Sequence, residues 1–262
     1  MKRGLLILSC VFWMAPTEAS AQNAAAIESK LNKAFNKIAY WDKKRSYAGA
    51  DDSLILANDQ FAAQLLSITG KYPGTISQPF KSLANSGLRI ATCEDGALRI
   101  YSWDTGLGGT MRKYKNIVQY RSGAGTKSIA LITDPNGYEP FYSGLHNIKA
   151  GKTTYYLGLN TAMLSSAYIV QGVKVFAITQ AKLDTDAKLI KTESGLNNSL
   201  HVESDLSASV NNGISEQPRL SYDSRTRTIK LPLVTAEGRI TKNFITYKFT
   251  GQYFEKVVNL AK

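Results

Sequence analysis

The spacing of apolar residues changes once along this chain, at Gly87, and this change limits the folds that the sequence can adopt. Before Gly87, apolar residues recur every three to four positions, which is the period of an amphipathic helix. After it they alternate with polar residues, and turn residues separate short runs as they do in hairpins. Helices followed by many strands are typical of an α+β domain, in which the helices pack on one face or end of an antiparallel sheet.

The helical region covers residues 22–87. Its first predicted helix spans 24–47, its second follows Asp51 and ends at Gly70, and a shorter third spans 78–85. Acidic and hydroxyl side chains at the start of the second helix can accept hydrogen bonds from its free backbone N–H groups.

The β region covers residues 88–262 and shares one domain with the helices. Glu94-Asp95-Gly96 predicts a tight hairpin turn between strands 88–93 and 97–103. Further strands are predicted over 110–121, 127–133, 153–159, 173–183, 187–192, 200–203, 219–223, 227–234 and 244–257, and a short helix over 162–170. The predicted fold class is therefore α+β: two or three N-terminal helices on a large antiparallel β-sheet, arranged as a sandwich or as a partial propeller-like meander.

The first 21 residues have the three parts of a secretory signal peptide: a charged start, the apolar run 4–14, and the small residues Ala19-Ser20-Ala21. The apolar run is shorter than the roughly 20 residues that span a bilayer as a helix. We therefore expect cleavage after Ala21, no transmembrane segment, and a periplasmic or extracellular mature protein. Lipid modification at Cys10 is the alternative, although the signal ahead of that cysteine is short.

The charge of the chain narrows the class of partner. Lys and Arg number 32 against 20 Asp and Glu, for a net charge of +12. For an exported protein this excess favours lipopolysaccharide, anionic polysaccharide or a membrane face rather than nucleic acid. Scattered charge is otherwise a solubilising surface, and the longest basic run is only Lys43-Lys44-Arg45.

Cysteine usage excludes a disulfide framework. Cleavage after Ala21 leaves Cys93 alone, so the exported protein has to be held together by its core. Cys93 lies in the apolar strand 88–93, which predicts a buried thiol that acts as a small apolar side chain.

Three segments, 94–111, 221–229 and 247–254, carry a resemblance to other sequences. Through them the chain resembles a set of uncharacterised secreted proteins of Bacteroidota, over most of its mature length. The resemblance implies an envelope or extracellular setting. Those proteins have no established activity, so the resemblance assigns no functional residue.

Two short motifs look catalytic but lack the rest of their patterns. Asp104-Thr105-Gly106 is the triplet of aspartic proteases, whose two loops bring two carboxylates together, and only a homodimer could supply the second loop here. The segment 123–128 looks like a phosphate-binding loop, but Thr126 stands where that motif needs glycine, and a strand follows. We expect Asp104 to accept hydrogen bonds from turn N–H groups, and 123–128 to be a hairpin loop.

Histidine chemistry is limited to His146, in a predicted loop, and His201, in a short strand, so we expect no metal site and no cofactor. A glycosidase needs only two carboxylates at a set separation. Carboxylates near predicted strand ends are Glu94, Asp95, Asp104, Glu139 and Asp223. A carboxylate-dependent hydrolase, glycosidase-like before aspartic-protease-like, is therefore the alternative function, with Asp104 as its candidate catalytic residue.

The strand 97–103 places Arg99, Tyr101 and Trp103 on one face, and the next strand adds Arg112 and Tyr114. A face of Arg, Tyr and Trp is either a core layer covered by the helices or a binding surface. From the second interpretation we expect a non-enzymatic module that binds an anionic glycan, a lipid head group or a protein through these five residues. The sequence leaves the oligomeric state open.

Overall fold

The computed structural model describes residues 18–132, 137–206 and 218–257, with backbone alone for 18–22, so most of the predicted signal peptide lies outside it. The helices are α1 (Glu18–Asp42), α2 (Ala50–Lys71) and α3 (Lys81–Asn85), with a 3₁₀ turn at Pro73–Ser77. The strands are β1 (Arg89–Thr92), β2 (Leu98–Asp104), β3 (Tyr114–Ser122), β4 (Gly125–Ala130), β5 (Phe141–Ala150), β6 (Thr153–Met163), β7 (Tyr168–Thr179), β8 (Lys182–Asp184), β9 (Ile190–Thr192), β10 (Gly195–Asn197), β11 (Ser199–Asp205), β12 (Ser221–Asp223), β13 (Thr228–Val234), β14 (Ile240–Phe249) and β15 (Phe254–Lys256).

The helices α1 and α2 pack against each other through the apolar stripes that their periodicity predicts. Leu31 and Leu65 are fully buried, and the rings of Phe35 and Phe61 lie 4.9 Å apart between centroids. The turn between the helices ends at Gly49, whose φ of 75° is a left-handed conformation that glycine adopts without strain. No helix in the described ranges is long and apolar enough to cross a membrane.

The strands form three sheets. The first sheet has the order β1-β2-β3-β4, and the second has the order β11-β7-β6-β5 with β8 paired to β7. The third has the order β10-β9-β15-β14-β13-β12. Neighbouring strands are antiparallel except β15 and β9, which are parallel. The hairpins therefore follow sequence order in the first two sheets, and the third gathers the C-terminal strands.

The three sheets and the helices stack as four layers, because the strands bury alternate residues on opposite faces. On β2, Tyr101 and Trp103 pack under the helices, whereas Ile100 packs against the second sheet. On the second sheet, Phe176 faces the first sheet and Val175 faces the third. The second sheet is thus covered on both sides, which accounts for the mostly buried residues of β7.

The predicted α+β class is confirmed, in the form of a sandwich of stacked sheets with the N-terminal helices on its outer face. The hairpin at Glu94-Asp95-Gly96 is also confirmed: Gly96 has a φ of 65°, and Asp95 Oδ1 accepts a hydrogen bond of 2.9 Å from the N–H of Ala97. The hairpin loop expected over 123–128 is shorter than predicted: only residues 123–124 join β3 to β4, because β4 begins at Gly125, which pairs with Ser122.

The predicted helix over 162–170 is wrong. β6 continues to Met163 and β7 begins at Tyr168, with Ala162 paired to Val170 across the hairpin. Ser165 Oγ accepts hydrogen bonds from the N–H groups of Ala167 and Tyr168, so a serine-based turn replaces the expected helical turn.

Three strand predictions also need correction. His146 lies in β5, a strand that was expected to be a loop. The predicted strand 173–183 is broken at Gln180 and Ala181, whose φ angles of 49° and 60° form a tight turn between β7 and β8. The predicted strand 244–257 is a hairpin instead, since the chain reverses near Gly251 between β14 and β15.

Candidate functional site

The face predicted to bind a ligand lies mostly under the helices. Only 6% of Arg99, none of Tyr101 and 1% of Trp103 is exposed. Tyr114 was predicted on the same face, and this is wrong: its buried ring lies 5.0 Å from that of Phe141 in the second sheet, on the opposite face of the first sheet. Arg112 is the exposed member of the five, with 54% of its side chain in solvent. The face of Tyr101 and Trp103 is therefore the covered core layer, and it offers no open binding surface, because α1, α2 and the 3₁₀ turn lie over it.

Arg99 connects the helical layer to the first sheet through hydrogen bonds. Its Nη1 donates to the carbonyl oxygens of Thr75, at 3.0 Å, and Gln78, at 2.5 Å, and its Nε donates to Thr92 Oγ1 at 2.7 Å. Carbonyl groups at the end of a helical turn carry partial negative charge, which suits a buried guanidinium. The side chain therefore has a structural role, with its donors directed at the backbone.

Asp104 has two partners. Its Oδ1 accepts a hydrogen bond of 2.9 Å from the N–H of Gly106, as expected for a turn, and its Oδ2 pairs with Arg112 Nη1 at 2.6 Å. This hydrogen bond, followed by the charge of Asp104, raises the pKa of Arg112. Asp104 thus orders the loop after β2, and no other carboxylate lies within the contacts that the structure gives it.

Cys93 is a buried thiol, as expected. Burial, followed by the hydrogen bond that its Sγ donates to Asp95 Oδ1 at 2.7 Å, raises the pKa of the thiol to about 12. A thiol with so high a pKa stays protonated at neutral pH and is a poor nucleophile.

The two histidines lie in separate clusters. His146 Nδ1 is 2.7 Å from Glu94 Oε1, and Glu94 Oε2 accepts a hydrogen bond of 3.1 Å from the N–H of Asn147. Partial burial alone would raise the pKa of Glu94, but these hydrogen bonds outweigh it and lower that pKa. His201 packs edge-on against Tyr138 instead. Across the described ranges, no group of His, Cys, Asp or Glu side chains could hold a metal ion.

A cavity of about 810 Å³ opens where the first and second sheets diverge. At the opposite end, the two sheets are closed by Tyr142, Tyr156 and Phe176 of the second sheet against Leu98 and Ile100 of the first. Around the cavity, β3 and β4 form the roof, while β6, β7 and β11 form the floor. Its volume lies within the roughly 300–1,000 Å³ of pockets that bind small molecules.

The floor of the cavity is shaped by Gly172. On adjacent strands, Asn160 and His201 pair with this glycine in register, one on each side. A Cβ atom at position 172 would lie 3.0 Å from Asn160 Oδ1 and 3.0 Å from the carbonyl oxygen of Leu200. The missing side chain therefore allows Asn160 and the backbone of Leu200 to approach β7 closely at this point of the floor.

Lys174 lies two residues along β7 from Gly172 and so projects from the same face of the strand. The residue is half-buried and lines the cavity. Within the described structure its ammonium group makes no hydrogen bond and no ion pair. The floor thus presents one uncompensated positive charge to the cavity.

The roof supplies an unsatisfied acceptor and aromatic surface. Asn116 Nδ2 donates to the carbonyl oxygen of Pro140 at 2.8 Å, whereas Asn116 Oδ1 is buried and has no hydrogen-bond partner in the described part of the chain. Tyr114 lines the same region. Because buried polar atoms are almost always hydrogen-bonded, this oxygen calls for a donor from a ligand or from water.

Of the carboxylates expected near strand ends, Glu139 alone lines the cavity. It is half-buried, and its side chain has no partner among the described residues. Asp186, which was not predicted, also lines the cavity, but its carboxylate accepts a hydrogen bond from Asn198. The cavity therefore combines one unpartnered cation, two carboxylates and several amides.

These features define the class of site: a concave, partly aromatic pocket with a few polar groups, between two sheets of an α+β sandwich. No known protein family, curated protein or solved structure matches the chain. The function is therefore argued from the geometry of the pocket.

Proposed function

We propose that this protein is an exported, non-enzymatic binding module of the cell envelope or extracellular space, and that its ligand is an anionic sugar unit of a glycan. The observation that carries this proposal is Lys174, a half-buried cation inside the cavity between the first and second sheets that has no counter-ion among the residues described by the structure. A carboxylate on the ligand would supply the missing charge.

The other groups of the cavity suit the rest of a sugar. A sugar hydroxyl can donate to Asn116 Oδ1, the buried acceptor without a partner. Asn160 and His201, on either side of Gly172, offer further polar contacts. Aromatic side chains such as Tyr114 provide rigid apolar surface with a polar edge. A concave pocket of this size also favours a small unit over the flat contact surface of a protein partner.

The binding test is calorimetric titration with galacturonate and glucuronate oligosaccharides at low salt, beside their neutral galactose and glucose counterparts. We expect the acidic oligosaccharides to bind and Lys174→Gln to weaken them by about 10- to 150-fold, the usual range for a hydrogen bond to a charged group. The neutral sugars should be unaffected by that substitution.

The matched control is Lys182→Gln, which removes the same charge from an exposed lysine on β8. It should leave the affinity within twofold of the unmodified protein, since exposed charges are screened. An equal loss of affinity in Lys174→Gln and Lys182→Gln would contradict the proposal. So would the absence of binding of any acidic oligosaccharide at low salt.

Export is the second part of the proposal, and α1 supports cleavage after Ala21. The described α1 side chains that pack against the core begin at Ile27, so a chain starting at Gln22 keeps these contacts. Expression with its own N-terminus in a Gram-negative host is expected to yield periplasmic or secreted protein that starts at Gln22 by mass spectrometry. Protein recovered from the cytoplasm with Met1 intact would contradict export.

A carboxylate-dependent hydrolase is a second candidate, because Glu139 and Asp186 both line the cavity. Asp104, the candidate from sequence, does not line it and is held by Gly106 and Arg112. Release of reducing ends from the bound oligosaccharides, abolished by Glu139→Gln with binding retained, would replace the binding module with this enzyme.

A further inference from the structure

Basic residues are sorted onto one side of α1. Lys30, Lys33 and Lys37 follow at intervals of three and four residues on α1, so at about 100° per residue they lie within roughly 60° of one another. Lys44 lies in the turn that follows α1, and its Nζ contacts the ring of Tyr40 near the C-terminal end of the helix. We call these four residues the α1 basic stripe. The first three are exposed and Lys44 is half-buried. At 1.5 Å per residue, Lys30 and Lys37 are about 10 Å apart along the helix axis.

The acidic residues near the stripe have other contacts. Glu28 accepts hydrogen bonds from the N–H groups of Ser82, at 2.6 Å, and Leu83, at 3.4 Å. The carboxylate of Asp42 lies against Gly106, where a Cβ atom would be 2.8 Å from Asp42 Oδ1. The ion pairs found among the described residues include no lysine of the stripe. Its positive charge is therefore left for an external partner.

Exposed aromatic side chains stand beside the C-terminal end of the stripe. Lys44 Nζ lies 4.6 Å from the ring centroid of Tyr40 and 5.4 Å from that of Tyr47. These rings are 50% and 65% exposed. In the first turn of α2, Asp51 is paired with Arg45 at 3.2 Å.

We propose that the α1 basic stripe, with Tyr40 and Tyr47 at its end, docks the protein onto an anionic lipid bilayer. Lysines near an anionic membrane surface each add about fivefold to binding, and tyrosines favour the interface between head groups and acyl chains. A dissolved polyanion would neutralise the lysines but gain nothing from the exposed tyrosine rings. The surface lies on the helical layer, apart from the inter-sheet cavity. The docking proposal can therefore be tested independently of the proposal for the cavity.

The test is co-sedimentation of the protein spanning residues 22–262 with vesicles of phosphatidylcholine and phosphatidylglycerol, and with vesicles of phosphatidylcholine alone. We expect binding to the anionic vesicles that weakens with added salt, and little binding to the neutral ones. The stripe variant, with Lys30, Lys33, Lys37 and Lys44 all changed to Gln, should bind at least about a hundredfold more weakly.

The matched control changes four exposed lysines of the β region to Gln and so alters the net charge equally. These four lysines are Lys152, Lys182, Lys230 and Lys248. This control variant should bind the anionic vesicles within a few-fold of the unmodified protein. Tyr47→Ser, made with the four lysines of the stripe unchanged, should weaken vesicle binding beyond the weakening that added salt causes in the unmodified protein.

Three results would overturn the docking proposal. The first is an equal loss of vesicle binding in the stripe variant and its control. The second is absence of binding to anionic vesicles at low salt, and the third is binding to dextran sulfate without binding to vesicles. Far-ultraviolet circular dichroism would show that the stripe variant remains folded, as expected for changes at solvent-facing positions.

Discussion

Replacing Trp103 by Ala is expected to lower the free energy of unfolding by about 3–5 kcal/mol, the usual cost of removing a fully buried large aromatic side chain. Trp103 is 1% exposed, and its ring meets that of Phe61 edge-on at 5.0 Å between centroids. Its Nε1 donates to Asn58 Oδ1 at 3.0 Å. The substitution therefore leaves a void between α2 and the first sheet and removes the donor of a buried acceptor.

Urea denaturation followed by circular dichroism measures this effect. Trp103→Phe keeps most of the ring volume and should cost less, mainly the unsatisfied oxygen of Asn58, or about 1–3 kcal/mol. Trp41→Phe, at a half-buried position near the end of α1, should cost no more than about 1.5 kcal/mol. A loss below 1 kcal/mol for Trp103→Ala, on the order of a surface substitution, would show that the helices do not pack on this sheet as described.

Placing a branched side chain at position 172 is expected to abolish ligand binding. The Cβ of Gly172→Val would lie 3.0 Å from Asn160 Oδ1, and its methyl groups would occupy the floor beside Lys174. We expect the affinity for acidic oligosaccharides to fall by roughly a hundredfold or more, because the ligand loses both space and polar contacts. Overpacking should also lower the stability by about 1–3 kcal/mol.

The control for this substitution is Gly144→Val on β5, in the same sheet but outside the cavity. A Cβ atom there has its nearest contact at 3.5 Å, to His146 Nε2, which is ordinary packing. This variant should bind the ligand as the unmodified protein does. Affinity retained in Gly172→Val, measured by the same titration, would place the ligand elsewhere.

The layer order could be predicted from the sequence because it rests on two periodicities. Helical spacing before Gly87 gives α1 and α2, and the alternation in β2 correctly separates the face of Tyr101 from that of Ile100. Three predicted helices favour a covered layer over an open surface on this face, but alternation alone does not show whether the helices reach it. The buried hydrogen bonds of Arg99 to Thr75 and Gln78 show that they do.

The wrong predictions lie where the local sequence pattern and the strand pairing disagree. β5 contains Gly144 and Asn147, residues that disfavour strands, and its register shifts between Tyr142 and Gly144. Apolar residues at 162–170 fit a helix as well as a tight hairpin, and only the pairing of Ala162 with Val170 distinguishes them.

The cavity could not be predicted from any motif, because Asn116, Asn160, Lys174 and His201 come from four different strands. One local signal was present: Gly172 interrupts the otherwise bulky strand β7. An isolated glycine in a strand often marks a close approach of another group. Charge composition likewise indicated an anionic partner without locating Lys174 or the α1 basic stripe.

The central claim is that the ligand occupies the cavity between the first and second sheets. The most direct measurement is nuclear magnetic resonance of the isotope-labelled mature chain during titration with the tightest-binding acidic oligosaccharide. The proposal predicts that amide signals of Asn116, Gly172 and His201 shift together and saturate at the calorimetric affinity. Shifts confined to α1, or spread over the exposed lysines without saturation, would contradict it.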